Sequence, residues 1–388
     1  RRIYPDQNQL KKAAEVIKNS KQPIIISGGG VLYSEAEKEL SDFAKKHNIP
    51  VMPTAMGIGC MDKDDPYYIG PIGCLGVGSS NSLSKDTDLA LAIGTKLGDF
   101  TTGSWSNFHN PDFKLVSINA ARFDVTKHRA TPVISDAKVG LKELTKKLDD
   151  WKAPAIWYER ARKEAKEWDQ YVAKASGPTN QELPTYAHAV GAVYRNADPS
   201  DVVVTAAGGL VGEAVQIWKP KQINTFETEW GFSCMGYEIS GALGMKMAKP
   251  DQDFIVFVGD GSYLLQNSDI YSSVIYEKKL IIMNMTSSRF KKQTKMLDQN
   301  MKSLSNMLHR IFRQGTDLDK SNFARQSYPT TYDANGYVDI VRSSHVLNSS
   351  NLHGDKMLVY DTPYINESLR IVGYYQDLIN VNDIDDDA

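Results

Sequence analysis

Residues 253–262 read Asp-Phe-Ile-Val-Phe-Val-Gly-Asp-Gly-Ser, and the fold follows from how that run divides. Phe254 to Val258 is a short, unbroken apolar stretch, the pattern of a parallel strand buried on both faces. It runs straight into Gly259, Asp260, Gly261 and Ser262, so the chain turns at the strand's C-terminal end, where open α/β sheets place ligands. Two glycines let the backbone approach an anion, and the carboxylate between them can hold a hard cation. The combination suits a diphosphate bound through a metal. An ordinary strand-to-helix turn would read the same way, so the surrounding stretches decide.

Residues 185–284 form one α/β unit around that run. Val202 to Thr205 is a second strand, closed by Ala206, Ala207, Gly208 and Gly209. The stretch EWGFSCMGYEISGALGMKMA (229–248) passes from a polar turn into a helix from about Met235, with Gly236, Gly241 and Gly244 on its close-packed side. A helix near 267–277 and a strand from Leu280 to Met283 follow. Two strand ends, at 206–209 and 259–262, and one helix start near 233–236 can thus converge on one ligand. Glycine-rich turns and helix N-termini supply bare N–H groups for phosphate oxygens.

Residues 1–150 also alternate strand and helix: strands at Pro23 to Ser27, 50–53, 88–93 and 114–118, and a helix with Ala36, Leu40, Phe43 and Ala44 on one face. The fold class is therefore α/β, two doubly wound parallel-sheet domains. Gly28-Gly29-Gly30 does not fit G-x-G-x-x-G, and no acidic residue ends a second strand where a ribose would need it, which favours a structural turn. Residues 151–184 read as a surface linker helix closed by Gly177 and Pro178, its tryptophans Trp151, Trp157 and Trp168 anchoring it to neighbouring domains.

Composition narrows the classes. At 388 residues there is length for two or three domains. Apolar residues make up 41%, charged residues 24%, and the net charge is −2, so nothing draws the chain to nucleic acid or to a membrane. No apolar run could span a bilayer, and no signal peptide is expected. Three dispersed cysteines, Cys60, Cys74 and Cys234, suit a reducing cytoplasm. The seven histidines show no metal-ligand pairing.

The stretches GGL-x-GEAVQIW, EWGFSCMGYEISGALGMKMA and VGDGSYLLQNSDIYSSVIYEKKLII resemble the diphosphate-binding domain of thiamin-diphosphate enzymes, and within them the trihydroxycyclohexanedione hydrolases of inositol breakdown. Residues 1–150 resemble the same family's central domain. The resemblance covers about 1–283, and it implies thiamin diphosphate and magnesium as cofactors. Asp260 would be the carboxylate ligand of magnesium. Gly261 and Ser262 would meet the diphosphate through backbone N–H, with Gly208 and Gly209 along the same group. Met235 would prop the cofactor in its bent form, and the carbonyl of Ser233 would receive the aminopyrimidine's amino group. Read without the family, Met235 is core filler, Ser233 a helix N-cap and Gly209 a turn. The reaction implied is hydrolysis of a carbon–carbon bond in a small diketone; the alternatives are another thiamin-diphosphate enzyme, such as an acetolactate synthase, and, from the tail beyond about 285, an acylneuraminate (sugar-acid) cytidylyltransferase fragment. Such enzymes bind cofactor between two domains, usually of two subunits, so a homo-oligomer is expected.

The pattern is broken in two places. Nothing before Arg1 supplies the family's N-terminal domain, whose glutamate protonates the aminopyrimidine, so the chain alone is expected to be weakly active or inactive. The family spacing places the second metal ligand, an Asn, on Ser287 (287 − 260 = 27), and a hydroxyl is the poorer ligand; Asn284 falls three residues early. Beyond about 285 the hydrolase pattern stops. ARQSYPTTYDANGYVDIVRSSHVL (324–347) is similar to the C-terminal part of acylneuraminate cytidylyltransferases, which makes Arg325, Gln326 and Asn335 candidate contacts to a sugar acid. Asn335-Gly336 is equally a simple turn. Four segments are thus expected: 1–150, 151–184, 185–284 and a truncated α/β tail, 285–388.

Overall fold

The computed structural model describes residues 1–180 and 184–285 together with the strand at 371–373. Five parallel strands make the first sheet: β1 (Pro23–Ser27), β2 (Val51–Pro53), β3 (Leu89–Ile93), β4 (Lys114–Asn119) and β5 (Thr131–Ile134), in the order β2-β1-β3-β4-β5. Every residue of β1 and β3 is buried. Ile25, Leu91 and Val116 face one core, shared with Leu40, Phe43 and Ala44 of helix Glu37–His47. Ile24, Ile26, Ala90 and Ala92 face the other. Neither side of these strands meets water, which is why they read as unbroken apolar runs.

β5 was not foreseen. It has four residues, one of them Pro132, and a proline is tolerated there because β5 is an edge strand. The glycine run after β1 is spent on packing. A Cβ on Gly28 would stand 2.4 Å from the carbonyl oxygen of Gly94, and one on Gly30 would stand 2.6 Å from the Gly94 Cα. Two strand-end turns meet there backbone to backbone.

The predicted linker helix is Ala155–Ala175, and it docks on the first sheet. Trp157 is buried, and its indole N–H donates to the carbonyl of Pro23 (2.8 Å). Trp151 donates to the carbonyl of Lys18 (3.1 Å), and the Trp168 ring lies over Gly78, where a Cβ would clash at 2.6 Å.

The second sheet contains β6 (Val202–Thr205), β7 (Phe226–Thr228), β8 (Phe254–Gly259), β9 (Ile281–Met285) and β10 (Ile371–Gly373), in the order β10-β9-β8-β6-β7. All pairs are parallel except β10, which runs antiparallel on β9. Residues alternate between two cores here as well: Ile255, Phe257 and Met283 on one side, Phe254, Val256, Val258 and Ile282 on the other. β6, β7 and β8 therefore end on the same edge of the sheet. Among the described residues no helix is long and apolar enough to cross a membrane.

Candidate functional site

The site lies on that shared edge. At the end of β6, Gly208 takes φ +80 and caps helix Gly209–Ile217; a Cβ on it would touch nothing within 4 Å. Gly208 and Gly209 are exposed, so their backbone faces open space. At the end of β8, Gly259 caps helix Asp260–Gln266. The Asp260 carboxylate accepts from the N–H of Gly261 (2.9 Å) and no described cation pairs with it, while Ser262 is buried.

The third segment, 229–236, is bound to both turns. Ser233 has φ +53, in the left-handed region, and its hydroxyl donates to the carbonyl of Ala206 (3.1 Å). Met235 is half exposed, and its Cε would lie 2.7 Å from a Cβ on Gly261. Gly236 has φ +96, which delays the helix to Tyr237–Ala248, two residues later than the start expected at Met235. The structure thus brings together Gly208, Gly209, Ser233, Met235, Asp260, Gly261 and Ser262. Ser287, Arg325, Gln326 and Asn335 lie outside the described residues. Asn284 sits on β9 opposite Val258, with its side-chain oxygen buried and without a hydrogen-bond partner.

Two acidic residues that sequence reasoning passed over hold this arrangement. Glu238, in the first turn of its helix, is fully buried. Its Oε1 accepts from the N–H of Ala207 (3.1 Å) and its Oε2 from the N–H of Gly236 (2.9 Å). Glu229 accepts from the N–H of Phe232 (2.9 Å) and of Cys234 (2.7 Å). Burial opposes its charge, yet these backbone donors together hold its pKa below the ordinary carboxylate value. The available signal was a lone acid at the N-terminal turn of an apolar helix.

A cleft of about 230 Å³ opens where the two sheets' domains meet, lined by Tyr33 and Met56 from the first and by Phe226, Glu227 and Thr228 from the second. Burial raises the Glu227 pKa. Burial and then the charge of Glu227 push Tyr237 up to about 12.

The residues on this edge fit a diphosphate and its cation. Exposed glycine backbone follows β6, one carboxylate lies between glycines after β8, and a thioether stands exposed beside it. Among the described residues no cluster of three or more His, Cys, Asp or Glu could cage a metal unaided. A magnesium held by one or two protein ligands and completed by phosphate oxygens and water needs no such cluster.

Comparison with known proteins points to thiamine pyrophosphate as the cofactor. Residues 10–144 match the family model described as thiamine pyrophosphate enzyme, central domain, and residues 206–324 match the one described as thiamine pyrophosphate enzyme, C-terminal TPP binding domain. The second match runs past residue 285, beyond the stretch that carries the hydrolase pattern. The proteins named 3D-(3,5/4)-trihydroxycyclohexane-1,2-dione hydrolase include one from Clostridium tetani, 34% identical over 313 residues, covering 74% of this chain and 49% of that protein. One from Lacticaseibacillus casei is 32% identical over 348 residues, covering 84% and 54%. One from Bacillus anthracis is 33% identical over 313 residues, covering 74% and 49%. The chain spans about half the length of the curated relatives it matches.

Proposed function

The chain belongs to the thiamine pyrophosphate enzymes, and from that premise we propose that it is the cofactor-holding part of a hydrolase that cleaves a carbon–carbon bond in a cyclic 1,2-diketone. The observation that carries the reading is the convergence of 206–209, 233–236 and 259–262 on one sheet edge, tied together by Glu238, by the Ser233 hydroxyl and by Met235 against Gly261.

Asp260 would hold magnesium, with Ser287 as a weaker second ligand. The amides of Gly208, Gly209 and Ser262 would bind the diphosphate, joined by that of Gly261 once it leaves the Asp260 carboxylate it now donates to. Met235 would support the bent cofactor, and the Ser233 carbonyl would accept from its pyrimidine amino group. Bound thiamin diphosphate supplies a ring carbon acidic enough to become a nucleophile toward carbonyls. The protein's part is to orient that carbon and to keep bulk water from it. In such enzymes the proton-relaying glutamate lies on another domain, so full turnover would need a polypeptide carrying that domain to pack against this site.

Titrating the protein with thiamin diphosphate and magnesium should quench tryptophan fluorescence saturably, and Asp260→Ala should abolish the quench. No quench in the wild type would sink the cofactor reading. Superimposable titrations would remove Asp260 from it. The run Arg325-Gln326 with Asn335 favours a second reading for the tail, recognition of a sugar acid. A thermal shift with sialic acid plus CTP supports it, and no shift rejects it.

A further inference from the structure

We propose that Glu229 and Glu238 are positioning residues that hold the cofactor-contacting loop 229–236 and the turn 206–209 in their binding arrangement before any ligand arrives. The inference rests on the cofactor reading above and adds to it the two side chains that pre-form the site.

Each carboxylate spends both oxygens on backbone N–H groups, and the four amides flank the contacts proposed for the cofactor. Phe232 and Cys234 are the immediate neighbours of Ser233; Gly236 follows Met235; Ala207 precedes Gly208. Ser233 is fixed in a left-handed backbone state that a residue with a side chain adopts at a cost, and such states persist only where the surroundings over-determine them. Here the over-determination is visible. Glu229 bonds the amides on either side of Ser233, and the Ser233 hydroxyl is itself tied to the Ala206 carbonyl. The peptide carbonyl of Ser233 is thereby fixed in direction without help from a ligand.

Glu238 does the complementary work. It is fully buried and joins the two segments across 31 residues of sequence, one oxygen on the β6 turn and one on the helix start. Charge-assisted bonds to backbone amides are short and strong, and a carboxylate is the side chain that can accept from two amides at once. Glutamine preserves the shape but turns an NH₂ toward one of those donors. The bond is then lost and two donors face each other.

The test uses the full chain. Hydrogen exchange without ligand should show Glu238→Gln losing protection at Ala207 and Gly236, and Glu229→Gln losing it at Phe232 and Cys234, with the strands β6 and β8 unchanged. Thiamin diphosphate and magnesium, followed by tryptophan quenching, should bind each variant about tenfold more weakly than wild type. Val203→Ala, a core deletion within β6, serves as the control for general loss of stability. If the named amides stay protected, or if Val203→Ala weakens binding as much as either variant at equal loss of stability, the proposal is overturned. If Glu238→Gln does not fold, Glu229→Gln alone decides, because its loop is exposed. Absence of any quench in the wild type overturns the cofactor reading and the proposal with it. Loss of quench confined to the variants overturns neither and supports both.

Discussion

Met235 lies against Gly261 so closely that a single methyl group on residue 261 would come within 2.7 Å of the methionine's terminal carbon. The glycine is therefore the partner of a particular side chain as well as a turn residue. Because the obstructing atom is the free end of a half-exposed methionine, Gly261→Ala should be relieved by swinging Met235 outward. Unfolding free energy should drop by only about 1 kcal/mol, at the low end of overpacking costs. Affinity for thiamin diphosphate should fall further than Met235→Ala alone lowers it, since the added methyl also crowds the diphosphate. Equal affinities for the two variants would show that Met235, and not the space at 261, is what matters.

The glycines after β1 predict the opposite balance. At Gly28 the obstruction is the Gly94 carbonyl oxygen, 2.4 Å from an added Cβ, and backbone cannot swing aside. Gly28→Ala should cost about 3 kcal/mol, the upper end of overpacking penalties, read from the urea midpoint. It should leave any bound-cofactor signal per folded molecule unchanged. A variant as stable as wild type would mean that the two turns are free to part.

His47 gives a pH dependence whose sign is fixed by burial. The ring is fully buried, lies tilted at 57° against Phe43 with 4.6 Å between centroids, and has Nδ1 at 2.7 Å from the Trp151 carbonyl oxygen. Burial lowers its pKa below the ordinary 6.5, against the opposing pull of that carbonyl and with help from Lys46 and Lys152. The unfolded chain therefore takes up a proton that the folded one refuses. This contribution to stability is complete above pH 6.5 and is lost as pH falls through the lower folded value. The urea midpoint should decline as pH falls below about 6.5, and His47→Gln should flatten that part of the profile. An unchanged slope in the variant would assign the decline to other groups.

What could be read from the chain and what could not divide along physical lines. β1, β3 and β8 were legible because burial on both faces forces an unbroken apolar run, and the helix face of Leu40 and Phe43 because its period is fixed by the backbone. β7 was not, because three residues with Glu227 in the middle carry no pattern; its strand state comes from pairing with β6. At the site, Gly208 and Gly236 were visible because positive-φ backbone needs glycine, and Asp260 because a carboxylate between two glycines at a strand end is conspicuous. Glu229 and Glu238 were not, because an acid in a sequence defaults to the surface. Only the tertiary approach of 206–209 to 236 makes Glu238 a buried acceptor.

The final prediction concerns the join between the domains. Phe100, in the short helix Asp99–Thr102 of the first domain, meets Trp230 of the loop 229–236 edge to face, with ring centroids 5.2 Å apart and planes at 78°. Trp230 follows Glu229 directly, so the first domain braces the same loop that the two glutamates shape. Edge-to-face pairs contribute about 0.5–1.5 kcal/mol beyond their buried area. A double-mutant cycle of Phe100→Leu and Trp230→Leu should return a coupling energy in that range, measured by urea unfolding. Phe100→Leu alone should also shift the emission of Trp230, isolated in a background where the other tryptophans are phenylalanine. The first domain then acts on the site through one ring contact, and a coupling energy indistinguishable from zero would leave it a neighbour with no influence on the loop.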